Sequence, residues 1–155
     1  MRSKSNIKFA ARIFFLVYLA VLFYLLFFSE FAGRTEIYEE YHYNLTPFAT
    51  IRRYLIYSKV GGYFVRLVNV EGNILAFLPF GFFLPLLWRR CRKVWLTVLL
   101  TACFSIIVEV LQLFTRVGSC DIDDVILNTL GGVIGYLLYL LIAAIFGRVH
   151  GKKKV

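Results

Sequence analysis

The chain has 155 residues, of which 60% are hydrophobic, and its mean hydropathy is +0.73. This composition excludes an ordinary soluble domain, and the length suits a single domain over residues 1–155, so we expect a small multi-pass membrane protein. A net charge of +9 can indicate nucleic-acid binding, but the basic residues lie where membrane topology requires them, and we expect no nucleic-acid partner.

The first predicted element is a membrane span. A basic N-terminal segment without acids, MRSKSNIKFAAR, precedes the uncharged run Ile13 to Ser29. With Phe9 to Ala11 added and Arg12 reaching toward the interface, the run is long enough to cross a hydrocarbon core of about 30 Å. A cleaved signal peptide begins in the same way, but its apolar region is usually shorter, so we favour an uncleaved span.

The segment from Glu30 to Glu71 is polar and too large to be structureless. Thr46 and Pro47 look like a helix N-cap followed by proline, and FATIRRYLIYSK then separates apolar from basic side chains at helical spacing, which predicts a helix lying in the membrane interface. Apolar residues over 63–68 predict a second short amphipathic helix. A loop folded over the outer end of the bundle explains both segments equally well.

Gly72 to Trp88 is the second predicted span. Pro79 removes a backbone donor and Gly81 lacks a side chain, so we expect a kink there, with a further break at Pro85. The short basic turn RRCRK, residues 89–93, follows the span.

Two more spans are predicted, from Val94 to Thr115 and from Val125 to Gly147. Gly131 and Gly135 form a GxxxG pattern in the last span, where small residues permit close backbone approach to another helix. We expect these glycines to serve packing within the chain, and a homo-oligomer through the same two glycines is the alternative.

The charges orient the four spans. The N-terminal segment, the 89–93 turn and the tail RVHGKKKV hold twelve of the eighteen Lys and Arg residues and none of the nine acids. Because cytoplasmic loops carry the excess of Lys and Arg, we place both termini in the cytoplasm and the loops 30–71 and 116–124 outside. The predicted fold class is an all-α membrane protein with four transmembrane helices, N-in and C-in, with short interfacial helices in the large outer loop between spans 1 and 2.

Polar side chains interrupt the apolar background at the outer end of the spans. Glu109, Gln112 and Arg116 fall at i, i+3 and i+7 on one helix face, and Arg116 is the nearest basic partner for Glu109. An ionisable group inside a span is costly unless it faces protein or water, so we expect a buried pair. The predicted binding residues lie at this end of the spans: Asn73, Glu109, Gln112, Arg116, Asp121, Asp124 and Asn128.

Several motifs, taken in order, resemble a known family. The motifs are NLTPF (44–48), GNILAFLPFGFFLP (72–85) and E-x-x-Q-x-x-x-R followed by D-x-D-D-x-x-x-N-x-x-G-G-x-x-G (109–135). They are similar to those of the VanZ-like family of bacterial membrane proteins, named for a member associated with teicoplanin resistance. The resemblance is strongest over 44–136; Asp123 matches less well. It implies a multi-pass protein of the bacterial cell membrane with a role in glycopeptide resistance or cell-envelope maintenance, the seven residues above as recurrent polar positions, and no particular mechanism.

Three functions fit the polar cluster. It could be a binding site, open to the outer leaflet of membrane lipid, for a polar group of a lipid-linked cell-wall precursor or of a glycopeptide. It could belong to an enzyme acting on a lipid-linked phosphate, with Glu109 as general acid or base and Asp121, Asp123 and Asp124 around Mg²⁺ or Ca²⁺. It could also be a structural network that locks helices and a loop into register in an envelope scaffold.

We expect no cofactor. His42 and His150 fall on opposite sides of the membrane in the predicted topology, which leaves no histidine-based nucleophilic pair. For the aspartates alone, the simplest expectation is a solvated loop in which Asp123 or Asp124 caps the last span. Three cysteines without paired spacing predict neither a disulfide framework nor a metal site: Cys91, Cys103 and Cys120.

Overall fold

The computed structural model describes residues 2–29, 39–61 and 67–151, which are almost entirely helical. The helices in chain order are α1 (Arg2–Phe28), α2 (Ala49–Gly61), α3 (Gly72–Leu87), α4 (Val94–Thr115) and α5 (Ile122–Gly151). A π-helical turn (Leu67–Glu71) precedes α3, and a 3-10 turn (Arg89–Arg92) follows it. Two strands of two residues each, β1 (Tyr43–Asn44) and β2 (Cys120–Asp121), lie in the connecting loops.

Four helical segments are long and apolar enough to cross a membrane: Lys8–Phe28, Asn69–Leu87, Val94–Thr115 and Ile122–Phe146. Large apolar side chains stay exposed along them, among them Phe14, Phe114 and Phe146. Such a surface is unfavourable in water but suits contact with lipid. The predicted fold class, an all-α membrane protein with four spans, is confirmed.

The bundle is organised around α3 and α5, which form its most extensive helix contact. The two helices run in the same direction, since Gly131 faces Ile74 and Gly135 faces Leu78, four residues further along both. A Cβ atom at Gly135 would lie 1.9 Å from the carbonyl oxygen of Leu78, so the backbones are in contact. The predicted packing role of these glycines is confirmed, and α3 occupies the surface that a homo-oligomer through them would need.

The proline-containing span is one helix. α3 continues through Pro79 and Pro85 and ends two residues after the second of them. Gly81 is required for packing, because a Cβ atom there would lie 1.9 Å from the carbonyl oxygen of Gly132. Gly81 therefore extends the close contact between α3 and α5 beyond the GxxxG pattern.

α1 is packed into the bundle, which supports its interpretation as a span. The Tyr18 hydroxyl donates to the carbonyl of Ala76 at 2.7 Å. Phe15 packs edge-on against Trp88, with ring centres 5.8 Å apart. The buried core on this side of the bundle consists of Phe15, Phe80, Leu84 and Cys91.

The large loop contains the first of its two predicted helices. α2 begins at Ala49, and Phe48 before it has a φ of 63°, in the left-handed region. The predicted cap at Thr46 is not formed by its side chain; the Thr46 amide instead donates to Asn44 Oδ1 at 3.2 Å. The second predicted helix, over 63–68, falls mostly outside the described residues, and 67–68 belong to the π-helical turn.

Candidate functional site

The first and third loops meet through a parallel strand pair. β1 pairs with β2 so that Tyr43 lies opposite Cys120 and Asn44 lies opposite Asp121. The Cys120 amide also donates to the carbonyl of His42 at 3.0 Å. Both loops therefore lie at one end of the bundle, here called the loop end, and the 3-10 turn lies at the opposite, basic end.

Asp123 caps α2 from a distant part of the sequence. Its side chain is completely buried, with 0% exposure. Its carboxylate accepts hydrogen bonds from three backbone amides: Phe48 at 2.5 Å, Thr50 at 2.8 Å and Ile51 at 3.0 Å. The first turn of α2 contains no acid of its own, so Asp123 supplies the negative charge that a helix N-terminus favours. The expectation that Asp123 caps its own helix is wrong.

Asp121 caps α5 and also fixes the loop junction. Its Oδ1 atom accepts the amide of Asp123 at 2.9 Å, which is the N-cap arrangement for a helix that begins at the following residue. Its Oδ2 atom accepts the hydroxyl of Thr50 at 2.6 Å, and the amide group of Asn44 lies 3.4–3.5 Å from both oxygens. Asp121 is thus a structural acid, saturated by protein donors.

The aspartates do not converge on a cation site. Asp121 and Asp123 direct their oxygens to α2 and its preceding loop, and Asp124 points elsewhere, accepting the side-chain amide of Asn73 at 2.6 Å. Among the residues that the structure describes, no group of three His, Cys, Asp or Glu side chains is arranged to hold a metal ion. Asn73 also donates to the carbonyl of Asn69 at 3.0 Å, so it links the start of α3 to α5.

Glu109 and Arg116 do not form the predicted pair. Glu109 is 3% exposed and accepts the amide of Asp121 at 3.0 Å. Arg116 has a left-handed backbone with φ of 57°; it donates to the carbonyl of Glu39 at 3.2 Å and lies 4.6 Å from the ring centre of Tyr41. Because α4 ends just before Arg116, the i+7 spacing no longer places it on the face of Glu109. Its guanidinium contacts the first loop instead.

Two buried amides have an acceptor oxygen without a partner. Gln112 and Asn128 are each 1% exposed. Gln112 Nε2 donates to the carbonyl of Leu26 at 2.9 Å, and Asn128 Nδ2 contacts Ser105 Oγ at 2.8 Å. Within the described ranges, Gln112 Oε1 and Asn128 Oδ1 have no hydrogen-bond partner. Turning the Asn128 amide over would only exchange which of its atoms is unpartnered, and the Leu26 carbonyl fixes the orientation of Gln112.

An unsatisfied buried polar atom costs about 1–3 kcal/mol, so most native proteins avoid one. Two amide oxygens in the described part of the chain are of this kind, one on α4 and one on α5. Such atoms are expected where a ligand or an ordered water supplies the missing donor. Gln112 and Asn128 were both predicted from the sequence as binding residues.

α4 carries a buried polar stripe, whose three hydroxyl residues were not predicted from the sequence. Its members are spaced by three or four residues and are all at most 3% exposed: Thr97, Thr101, Ser105, Glu109 and Gln112. The hydroxyls of Thr97 and Thr101 donate to backbone carbonyls, at 2.7 and 2.8 Å, and Thr101 lies against Gly132. This half of the stripe is a packing surface. The i+4 spacing of hydroxyl residues in an apolar helix was the signal that could have revealed it.

Cys120, in β2, lies close to several carboxylates. Burial is the main reason why the pKa of the Cys120 thiol is raised, and the carboxylates of Glu109, Asp121 and Asp124 raise it further.

An apolar cleft of about 230 Å³ lies between α1 and α4, and one of its lining residues, Leu26, accepts the hydrogen bond from Gln112. The two helices contribute aliphatic and aromatic side chains to its walls: Leu19, Leu22 and Leu26 from α1, and Phe104, Val108 and Leu111 from α4. The hydrogen bond from Gln112 to Leu26 crosses between the same two helices. An apolar cavity therefore lies next to a polar atom that lacks a partner.

These features define the class of protein: a small four-span helical membrane protein whose polar residues are concentrated at one end. The chain matches the family described as VanZ/LLP1 over residues 15–143. It is also similar to Protein VanZ of Enterococcus faecium, with 29% identity over 128 residues that cover 79% of this chain and 69% of that protein. No solved structure matches it.

The chain belongs to the VanZ/LLP1 family, and the resemblance inferred from its motifs is confirmed. At the level of that family it is a multi-pass membrane protein of the teicoplanin-resistance-associated type.

Proposed function

We propose that this protein binds, at the outer face of the bacterial cell membrane, a lipophilic ligand whose head group carries hydrogen-bond donors. The ligand classes that fit are a lipid-linked cell-wall precursor and a glycopeptide of the teicoplanin type. Binding would serve glycopeptide resistance or maintenance of the cell envelope. The observation that supports this proposal most directly is the pair of unpartnered, buried amide oxygens on Gln112 and Asn128.

The chemistry of the cluster favours hydroxyl, amide or ammonium groups over phosphate. The atoms that lack a partner on Gln112 and Asn128 are acceptor oxygens, which a hydrogen-bond donor would satisfy. Arg116, the residue that would suit a phosphate, contacts Glu39 and Tyr41 instead. Sugar hydroxyls and peptide amides are abundant in both proposed ligand classes, so either could supply donors to Gln112 and Asn128.

The apolar cleft supports a lipophilic ligand. It lies between α1 and α4, beside the Gln112–Leu26 hydrogen bond, so a hydrocarbon chain in the cleft would bring an attached head group to the buried amides. Within the bilayer the chain of such a ligand would be held by close packing against the cleft walls, because lipid is already apolar, while the amides would give specificity.

Binding to the purified full chain in lipid nanodiscs tests the proposal. We would measure affinity for teicoplanin and for a lipid-linked disaccharide-peptide precursor, using Gln112→Met and Asn128→Leu to remove the acceptors without changing side-chain size greatly. Each change should weaken binding about five- to tenfold, since a buried hydrogen bond contributes about 1–1.5 kcal/mol. Cys103→Ala, on the exposed side of α4, is the matched control and should bind normally.

Unchanged affinity in both amide variants would contradict the proposal, as would the absence of binding by the folded wild-type protein to either ligand. In cells, the teicoplanin susceptibility of a deletion strain complemented with Asn128→Leu should resemble that of the deletion strain, provided that protein levels equal those of wild type. A decrease in protein level that accounts for the whole phenotype would favour the structural-network alternative.

A further inference from the structure

A second cavity lies at the basic end of the bundle, between the end of α3 and the beginning of α4. It is a groove of about 570 Å³, within the roughly 300–1,000 Å³ range of small-ligand sites. Its walls are formed by the two helices and the 3-10 turn between them: Leu84, Trp88, Arg89, Arg90, Leu96 and Leu100. This end is distant from the polar cluster, so an occupant here would be independent of the proposed function.

The groove is amphipathic. Leu84 and Cys91 are almost fully buried at its base, with 6% and 5% exposure, whereas Arg89 and Arg90 are exposed at its edge. Trp88 is 48% exposed and is held in place by its edge contact with Phe15. Tryptophan with an apolar body and a polar N–H is typical of the membrane–water interface. Apolar walls below and guanidinium groups above match a molecule with a hydrocarbon chain and an anionic head.

Among the residues that the structure describes, no carboxylate forms an ion pair with these arginines. Residues 72–108 contain no Asp or Glu, and the nine acids of the chain all lie outside this stretch. Arg92 and Lys93 add to the positive charge of the turn. Lys93 occupies the N-cap position of α4 and makes no side-chain cap hydrogen bond there, so the positive end of the helix dipole is not neutralised by a side chain. The groove therefore offers a positive potential at its edge.

We propose that this groove binds an anionic phospholipid of the surrounding membrane. One acyl chain lies against Leu84, Leu96 and Leu100, and the head-group phosphate accepts hydrogen bonds from Arg89 and Arg90. The planar guanidinium matches the geometry of a phosphate. Each basic residue near an anionic membrane surface favours binding by about fivefold, so two arginines should distinguish an anionic lipid from a zwitterionic one clearly.

The position of the two tryptophans in the chain permits a direct test. Trp88 lines the groove, whereas Trp95 does not. In the full chain carrying Trp95→Phe, Trp88 is the sole tryptophan, and its fluorescence quenching is measured in phosphatidylcholine vesicles that contain brominated phosphatidylglycerol or brominated phosphatidylcholine. We expect the apparent association constant at Trp88 to be at least fivefold higher for phosphatidylglycerol.

Variants locate the effect. The double change Arg89→Gln and Arg90→Gln should reduce the preference for phosphatidylglycerol to near one, and the double change of the same residues to Lys should keep most of it. The matched control changes Arg52 and Arg53 to Gln; these exposed arginines lie on α2, at the loop end, and the preference should persist.

Equal quenching by the two brominated lipids in the parent protein would overturn the proposal. So would a phosphatidylglycerol preference retained by the Gln double variant with an unfolding temperature equal to that of the parent. If the Gln variant fails to fold, the parent comparison and the Lys variant still decide. Loss of quenching with increasing protein density in the vesicles would show that a second copy covers the groove, which also overturns it.

Discussion

At the scale of single residues, the acidic side chains at the loop end differ in what they contact. Asp121 and Asp123 accept hydrogen bonds from the first turn of α2. Glu109, on the buried face of α4, accepts the backbone amide of Asp121. The sequence placed Asp121 and Glu109 in the site but gave no reason to favour Asp123. Its partners lie 72–75 residues upstream, and no local pattern reports a contact at that separation.

Replacing Asp123 should destabilise the N-terminal end of α2. Asp123→Ala removes three hydrogen bonds to amides that have no other acidic cap, so we expect the free energy of unfolding to fall by about 2 kcal/mol or more. Limited trypsin digestion should show faster cleavage after Arg52 and Arg53, within α2. Glu40→Gln, an exposed change in the same loop, is the control; equal cleavage of both variants would contradict the capping role.

Cys120 should react slowly with thiol reagents at neutral pH. Its raised pKa lowers the fraction of thiolate, which is the reactive form. The rate of alkylation should therefore rise at a higher pH than the alkylation rate of an exposed cysteine does. The reference is Thr46→Cys in a Cys120→Ser background. Glu109→Gln removes one of the negative charges that raise the pKa and should move the Cys120 profile toward lower pH; an unchanged profile would show that the charge does not act on the thiol.

At the scale of elements, the spans were predictable because lipid imposes a minimum apolar length. The predicted third span coincides with α4, and the second differs from α3 by one residue. The last helix begins at Ile122 rather than Val125, because Asp121 caps it and the two acids in its first turn have partners. The Glu109–Arg116 pair failed for a related reason: the sequence did not reveal that α4 ends before Arg116 in a left-handed turn.

The contact between α3 and α5 should tolerate no added side chain. Gly135→Ala would place a Cβ atom 1.9 Å from the Leu78 carbonyl oxygen, which is backbone and cannot move aside without separating the helices. We expect destabilisation of about 3 kcal/mol or more, measured as a lower unfolding temperature in detergent. Ala143→Leu, at an exposed position further along α5, should have little effect. Similar unfolding temperatures for the two variants would refute the close contact.

At the scale of the whole molecule, charge differs between the two ends of the spans. The N-terminal segment, the 89–93 turn and the tail, which contain basic residues and no acid, adjoin one end, and the two loops of mixed charge contact each other at the other end. We therefore predict that, in a chain without its native cysteines, Thr46→Cys reacts with a membrane-impermeant maleimide in intact cells, and Arg92→Cys reacts only after the cells are permeabilised. The reverse labelling pattern would show that the orientation is N-out and C-out.

The strand pair between the first and third loops also determines the order in which the protein can be assembled. The acid that caps α2 is synthesised about two spans later than α2 itself, and it reaches α2 only when the third loop lies on the same side of the membrane as the first. Until then the amides at the start of α2 have no carboxylate to bind. The loop end can thus be completed only when the last helix has begun to form, and a chain truncated before Asp123 would have all of its first loop yet lack the acid that orders α2.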